Sequence, residues 1–130
     1  MKFEKSTFEE RYNKYWNDCV VKTDKNIRKQ LAGIGFFQVG PDIEGLVTEY
    51  QQHVLNIISN LQRQQKSVPF EDSVYVEDYF KATKEQALTD LREYKKAIGV
   101  VTMLTVSLDL FISSVEGSEM RAGKQEAMVF

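Results

Sequence analysis

Apolar and small residues recur at steps of four and three through the stretch 87–115. The members are Ala87, Leu91, Tyr94, Ile98, Val101, Thr105, Leu108, Ile112 and Val115. This spacing keeps one side of an α-helix against its neighbours. From Ala97 onward the other sides become apolar too, which is typical of a helix buried in a core or between subunits. The pattern predicts a helix that continues to Val115.

The same periodicity predicts a first helix that begins near Ser6 and Thr7 and ends at Gly33. Ser6 and Thr7 each stand three residues before a glutamate, which is the pattern of a capping box. Basic residues recur on the side opposite the apolar positions. Gly33 and Gly35 follow as stop signals.

Two further helices are predicted, the second beginning at Pro41 and the third at Asp72 or Ser73, after a break at Pro69. If the third helix continues to Val115, it spans ~60 Å against ~40 Å for each of the others. Its apolar end would then overhang, and a second subunit could cover it. The predicted fold is all-α, a three- or four-helix bundle with a long C-terminal helix, as one domain (1–117) with a tail (118–130).

An α+β fold is the alternative, with residues 100–112 as a strand. A helix end is predicted at Lys95, Lys96 and Gly99, because basic residues in the last turn followed by glycine are typical of helix termination. Apolar residues then stand at the even positions from 104 to 112, with polar residues at 105, 107 and 109, which is the period of a strand. The eligible partner strands are short, and this favours the helix.

Composition narrows the class of protein. The chain has 130 residues, a net charge of -2 and one cysteine. The slightly negative net charge argues against a protein whose main function is non-specific binding of nucleic acid. A single cysteine permits no internal disulfide. The segment 97–115 is interrupted by Asp109 and falls short of the about 20 apolar residues of a membrane span, so no membrane partner is expected. A cytoplasmic location is compatible with the cysteine usage.

Little in the sequence indicates catalysis. Glu49 lies one helical turn before His53, the single histidine, and such a pair can poise a general base. Two ligands do not hold zinc, so no metal or cofactor is expected. Cys19 falls on the apolar side of the first helix, where cysteine behaves as a small buried hydrophobe. We expect a protein that is not an enzyme.

The leading hypothesis is a protein–protein interaction module of the inhibitor, immunity, chaperone or assembly-factor type that self-associates as a homodimer or larger oligomer, or binds another protein. The predicted apolar contacts are Leu104, Leu108, Phe111 and Ile112. Asp109 and the uncharged side of the second helix would specify the partner, through Gln52, Asn56, Ser59 and Asn60. Leu108→Asp is then expected to separate subunits or cause aggregation.

A nucleic-acid-binding regulator is the alternative function. It would use the basic row of the first helix, formed by Lys14, Lys22, Lys25 and Lys29. Such binding would weaken steeply as salt rises. Aromatic residues do not alternate with these lysines as a stacking platform would require, which favours a solvated surface instead.

Overall fold

A computed structural model describes residues 3–33, 41–99 and 103–118. The elements are α1 (Lys5–Tyr15), a π-helical segment (Trp16–Val21), α2 (Lys22–Gly33), α3 (Pro41–Ser67), α4 (Phe70–Ile98) and α5 (Met103–Gly117). Because α1, the π-helical segment and α2 follow without a break, the described residues form four helical rods. No strand occurs within the described ranges, and the all-α prediction is confirmed. The predicted tail lies outside those ranges from residue 119 onward.

The core of the bundle forms around α4, which packs against α2, α3 and α5. The apolar positions at three- and four-residue spacing turn inward, as an amphipathic helix requires. Burial of these side chains from water is the main favourable contribution to folding. The largest fully buried side chains are Tyr50, Tyr94, Ile27, Ile57, Leu61, Leu91, Leu108, Val20, Val47, Val54, Val76 and Val115.

Two predicted helix starts are wrong in detail. The first helix begins at Lys5 after Glu4, so Ser6 and Thr7 lie within it rather than at its cap. The third predicted helix corresponds to α4, which begins at Phe70, directly after Pro69. The hydroxyl of Ser73 donates to the carbonyl oxygen of Phe70 at 2.6 Å instead of capping the helix.

The long predicted helix does not reach Val115, because α4 ends at Ile98. Gly99 adopts the left-handed conformation with φ of 74°, which ends helices and suits a residue without a side chain. The helix end predicted there is confirmed. The alternative strand is wrong for residues 103–112, which are helical in α5, and residues 100–102 lie outside the described ranges.

The expected overhang is also absent, since α3 and α4 have matching lengths. They hold 27 and 29 residues, or ~40 and ~44 Å at 1.5 Å per residue. Helix α5 runs antiparallel to α4: Lys95 pairs with Asp109 near one end, and the ammonium of Lys84 donates to the carbonyl oxygen of Ser118 near the other. The apolar segment thus returns along the bundle rather than projecting from it.

The π-helical segment was not predicted, because it shares the apolar pattern of an α-helix. Its Val20 is fully buried, while Cys19 is half-buried rather than enclosed in the core.

An aromatic cluster attaches α1 to α4. The ring of Phe8 lies 4.6 Å from that of Tyr12 and 5.2 Å from that of Tyr79, distances typical of stabilising aromatic pairs.

Candidate functional site

Three of the predicted partner contacts lie inside the chain's own core. Leu104, Leu108 and Ile112 are 7%, 0% and 8% exposed. Contact of a partner with these side chains would require the bundle to open, so their expected role is corrected to that of core residues. Phe111 is half-buried against the same core. Leu108→Asp would therefore place a carboxylate in the core and test folding rather than association.

The opposite side of α5 carries large apolar side chains that face water. Met103 is 83% exposed, Leu110 70% and Val106 45%. Their spacing of three and then four residues places them on one side of the helix. We call these three residues the α5 outer face. The sequence pattern places apolar residues on more than one side of α5, but the exposed ones are not those predicted as partner contacts.

The charged residues of α5 are paired with α4. Asp109 lies 2.5 Å from the ammonium of Lys95, and Glu116 pairs with the guanidinium of Arg92. The polar contact predicted for Asp109 is thus an exposed ion pair within the chain. A groove of about 700 Å³ separates the two helices along this row, between Lys96 and Val106.

The uncharged side of α3 is exposed, as predicted, but faces α1. Gln52, Asn56, Ser59 and Asn60 are all exposed. The amide of Gln52 donates to Asn56 at 3.2 Å, and the amide of Asn56 donates to the hydroxyl of Tyr15 in α1 at 3.4 Å. Asn56, and Asn60 beside Arg11 and Tyr15, therefore border the α1–α3 junction, whereas the predicted apolar contacts belong to α5.

His53 has a neighbour at each ring nitrogen. Its Nε2 atom lies 3.7 Å from a carboxylate oxygen of Glu49, and its Nδ1 atom lies 3.5 Å from the hydroxyl of Tyr15. Both distances are long for a hydrogen bond. The Glu49–His53 pair expected from the spacing is present, but no third group in the described contacts points to a reaction.

The four lysines of the alternative function are exposed. Lys22, Lys25 and Lys29 lie on α2, whereas Lys14 lies on α1 and pairs with Asp18 at 3.3 Å. An exposed pair of this kind contributes little to stability. The exposure of the four lysines agrees with a solvated surface, and it does not test nucleic-acid binding.

A partly buried polar network, which the sequence pattern did not reveal, joins α2, α3 and α4. The hydroxyl of Tyr50 donates to Asp90 at 2.7 Å. The guanidinium of Arg28 donates to Asp90 at 3.0 Å and to Asp24 at 2.8 Å. Tyr94 donates to Asp24, and its ring contacts that of Tyr50 edge-on at 5.3 Å. Two acids, two tyrosines and one arginine thus fix three helices relative to one another.

Burial governs the protonation of this network. It raises the pKa of Asp90, and the nearby charge of Asp24 acts in the same direction, while hydrogen bonds from Tyr50 and Gln86 and the charge of Arg28 oppose it. Burial and the adjacent Asp90 carboxylate raise the pKa of Tyr50, so its hydroxyl remains a donor. For Arg28, burial lowers the pKa, but hydrogen bonds to Glu93 and Asp24 outweigh it and the guanidinium stays charged.

A local signal for the network exists in the sequence. Asp24 falls between Val20 and Ile27, and Asp90 between Ala87 and Tyr94, so both acids occupy positions on the apolar side of a helix. A carboxylate at such a position needs a buried partner. The partner Arg28 stands 62 residues from Asp90, and the local pattern does not reveal that pairing.

Other classes of site find no support in the described ranges. They contain no group of three or more histidine, cysteine, aspartate or glutamate residues placed to hold a metal ion. Among the described residues, no helix is long and apolar enough to cross a membrane. Comparisons with family models, curated proteins and solved structures found no match to this chain.

Proposed function

We propose that this chain is a non-enzymatic protein–protein interaction module that self-associates through the α5 outer face. The observation that carries the proposal is the exposure of Met103, Val106 and Leu110 on one side of a helix at the edge of the bundle. Clusters of exposed apolar side chains mark interaction sites more often than isolated ones do. The occupant we infer is the same face of a second copy.

The charge distribution supports a second copy as the occupant. In a twofold interface each residue near the axis meets its own counterpart, so an unpaired charge there would repel itself. Asp109 and Glu116 are both neutralised by α4 within the same chain. The remaining exposed positions of α5 are apolar, small or hydroxyl-bearing, and these pack against their own copies without a charge penalty.

The α5 outer face is small for a protein–protein interface. A stable interface buries about 800 Å² on each partner, more than three side chains on one helix provide. We therefore expect reversible, concentration-dependent dimers rather than a permanent complex.

Sedimentation velocity over a concentration series tests the proposal. Leu110→Glu adds a charge that would meet its own copy, so we expect the dimer to dissociate while helix content and unfolding temperature stay the same. Leu55→Glu is the matched control, because Leu55 is also exposed, at 41%, but lies on α3. A wild-type chain that sediments as one copy at every concentration would contradict the proposal, as would equal loss of dimer in both variants.

Several expectations from the sequence remain predictions beside this proposal. The alternative of nucleic-acid binding by Lys14, Lys22, Lys25 and Lys29 predicts gel shifts that disappear as salt rises. Cytoplasmic location and the lack of enzymatic activity also remain predictions.

A further inference from the structure

A second surface, distinct from the α5 outer face, combines positive charge with concave shape. A cleft of about 420 Å³ lies between α1 and α3, with Arg11 on one helix and Arg63 on the other. Its volume is within the range of small-molecule sites. None of the described residues that line it is acidic.

The two arginines of the cleft differ from the other described arginines in their pairing. Arg28 and Arg92 form ion pairs with carboxylates. Within the described ranges, no ion pair joins Arg11 or Arg63 to a carboxylate. The cleft therefore holds two positive charges that the described side chains do not neutralise.

Neutral side chains position both guanidinium groups. Arg11 donates to the amide oxygen of Gln64 at 3.0 Å across the cleft, and Arg63 donates to the amide oxygen of Asn60. A guanidinium has five N–H donors, so each arginine retains donors for a ligand. An amide oxygen can orient an arginine without cancelling its charge.

The floor of the cleft is apolar and aromatic. Ile57 and Tyr12 are buried, and Tyr15 is half-buried. Burial raises the pKa of Tyr12, while the charges of Arg11 and Arg63 both act to lower it. Both guanidinium groups therefore lie close enough to Tyr12, at the floor of the cleft, for their charges to act on its hydroxyl.

We propose that this cleft binds a small organic dianion of the phosphomonoester type, with its phosphate between Arg11 and Arg63 and its apolar body on the aromatic floor. A phosphomonoester carries about -1.5 to -2 charges near pH 7, which matches two guanidinium groups. Arginine suits such groups because its planar donors bind two oxygens at once. This site does not depend on self-association through α5.

Titration of the full chain with phenyl phosphate, followed by amide NMR shifts, tests the site. We expect saturable shifts confined to the cleft residues of α1 and α3. Affinity for phenyl phosphate should exceed that for benzyl alcohol at least about tenfold, because charge-assisted hydrogen bonds are lost with the neutral probe. Inorganic phosphate should bind more weakly than phenyl phosphate, since it lacks the apolar body. Equal affinity for the two phosphates would overturn the placement of that body on the floor.

A matched pair of double variants separates the cleft from general positive charge. Arg11→Gln with Arg63→Gln should weaken phenyl phosphate binding at least about tenfold, whereas Lys25→Gln with Lys29→Gln should leave it within about twofold. Both pairs remove two positive charges from exposed positions. Far-UV circular dichroism checks that each variant folds. Equal weakening in both pairs, or the absence of saturable shifts in the wild-type cleft, would overturn the proposal.

Discussion

The centre of the bundle and the α5 outer face depart from the usual distribution of side chains in opposite directions. Between α2, α3 and α4, the carboxylate of Asp90 lies inside the bundle with its side chain only 8% exposed, and it pairs with the guanidinium of Arg28, whose side chain is 43% exposed at the bundle's edge. On α5, Met103 and Leu110 are largely exposed to water. One region therefore places a charged side chain in the core, and the other places large apolar side chains on the surface.

The two regions differ in whether other groups of the same chain offset the unfavourable placement of these side chains. Asp90 accepts hydrogen bonds from Tyr50, Arg28 and Gln86, so its desolvation is offset by groups of the same chain. We interpret this network as a device that fixes the register of three helices. The exposed apolar side chains of α5 gain nothing comparable from the bundle. We therefore expect intermolecular contacts at α5 rather than at the network.

The largest expected effect separates the two sides of α5. Leu108→Ala should lower the free energy of unfolding by about 2–5 kcal/mol, because Leu108 is fully buried and leaves a cavity. Leu110→Ala should change it by no more than about 0.5 kcal/mol at dilute concentration, because Leu110 is exposed. Urea unfolding measures both. Comparable losses would show that the inner and outer sides of α5 have been misassigned.

A smaller effect is expected at the buried network. Tyr50→Phe should lower the free energy of unfolding by about 1–3 kcal/mol at neutral pH, because the Asp90 carboxylate loses a buried donor. Tyr79→Phe is the control, since its hydroxyl donates to Asn13 at the surface. That variant should stay within about 0.5 kcal/mol of the wild type.

The pH dependence of Tyr50→Phe follows from the raised pKa of Asp90. Because the folded state binds this proton more tightly than the unfolded chain, ionisation of Asp90 opposes folding as pH rises through the folded-state pKa. Loss of the Tyr50 hydrogen bond raises that pKa further. The destabilisation should be greatest at neutral pH and shrink as acid protonates Asp90. A pH-independent loss would contradict this assignment.

Helix positions could be predicted from the sequence because burial enforces a three- and four-residue period. The break at Gly99 was ambiguous, since glycine inside a helix costs only about 1 kcal/mol and packing decides the outcome. The apolar pattern crosses the break because α5 also packs against the core. Sequence period alone therefore does not distinguish one long helix from two antiparallel ones.

The candidate site was less predictable, because it depends on tertiary packing. The sequence shows apolar residues on more than one side of α5, but only its contact with α4 determines that Leu108 is buried and Leu110 exposed. The pairing of Arg11 with Gln64 joins residues 53 positions apart. The cleft they border is likewise a product of the fold.

Intermolecular paramagnetic relaxation enhancement tests the central claim most directly. A spin label at Ser114→Cys, in a Cys19→Ser background, is mixed with unlabelled ¹⁵N-enriched wild-type chain, so that any broadening arises between copies. The account predicts broadening concentrated on the amides of Met103, Val106 and Leu110, with no effect on the exposed side of α2. No broadening at high concentration, or broadening centred on α2 or α3, would contradict association through the α5 outer face.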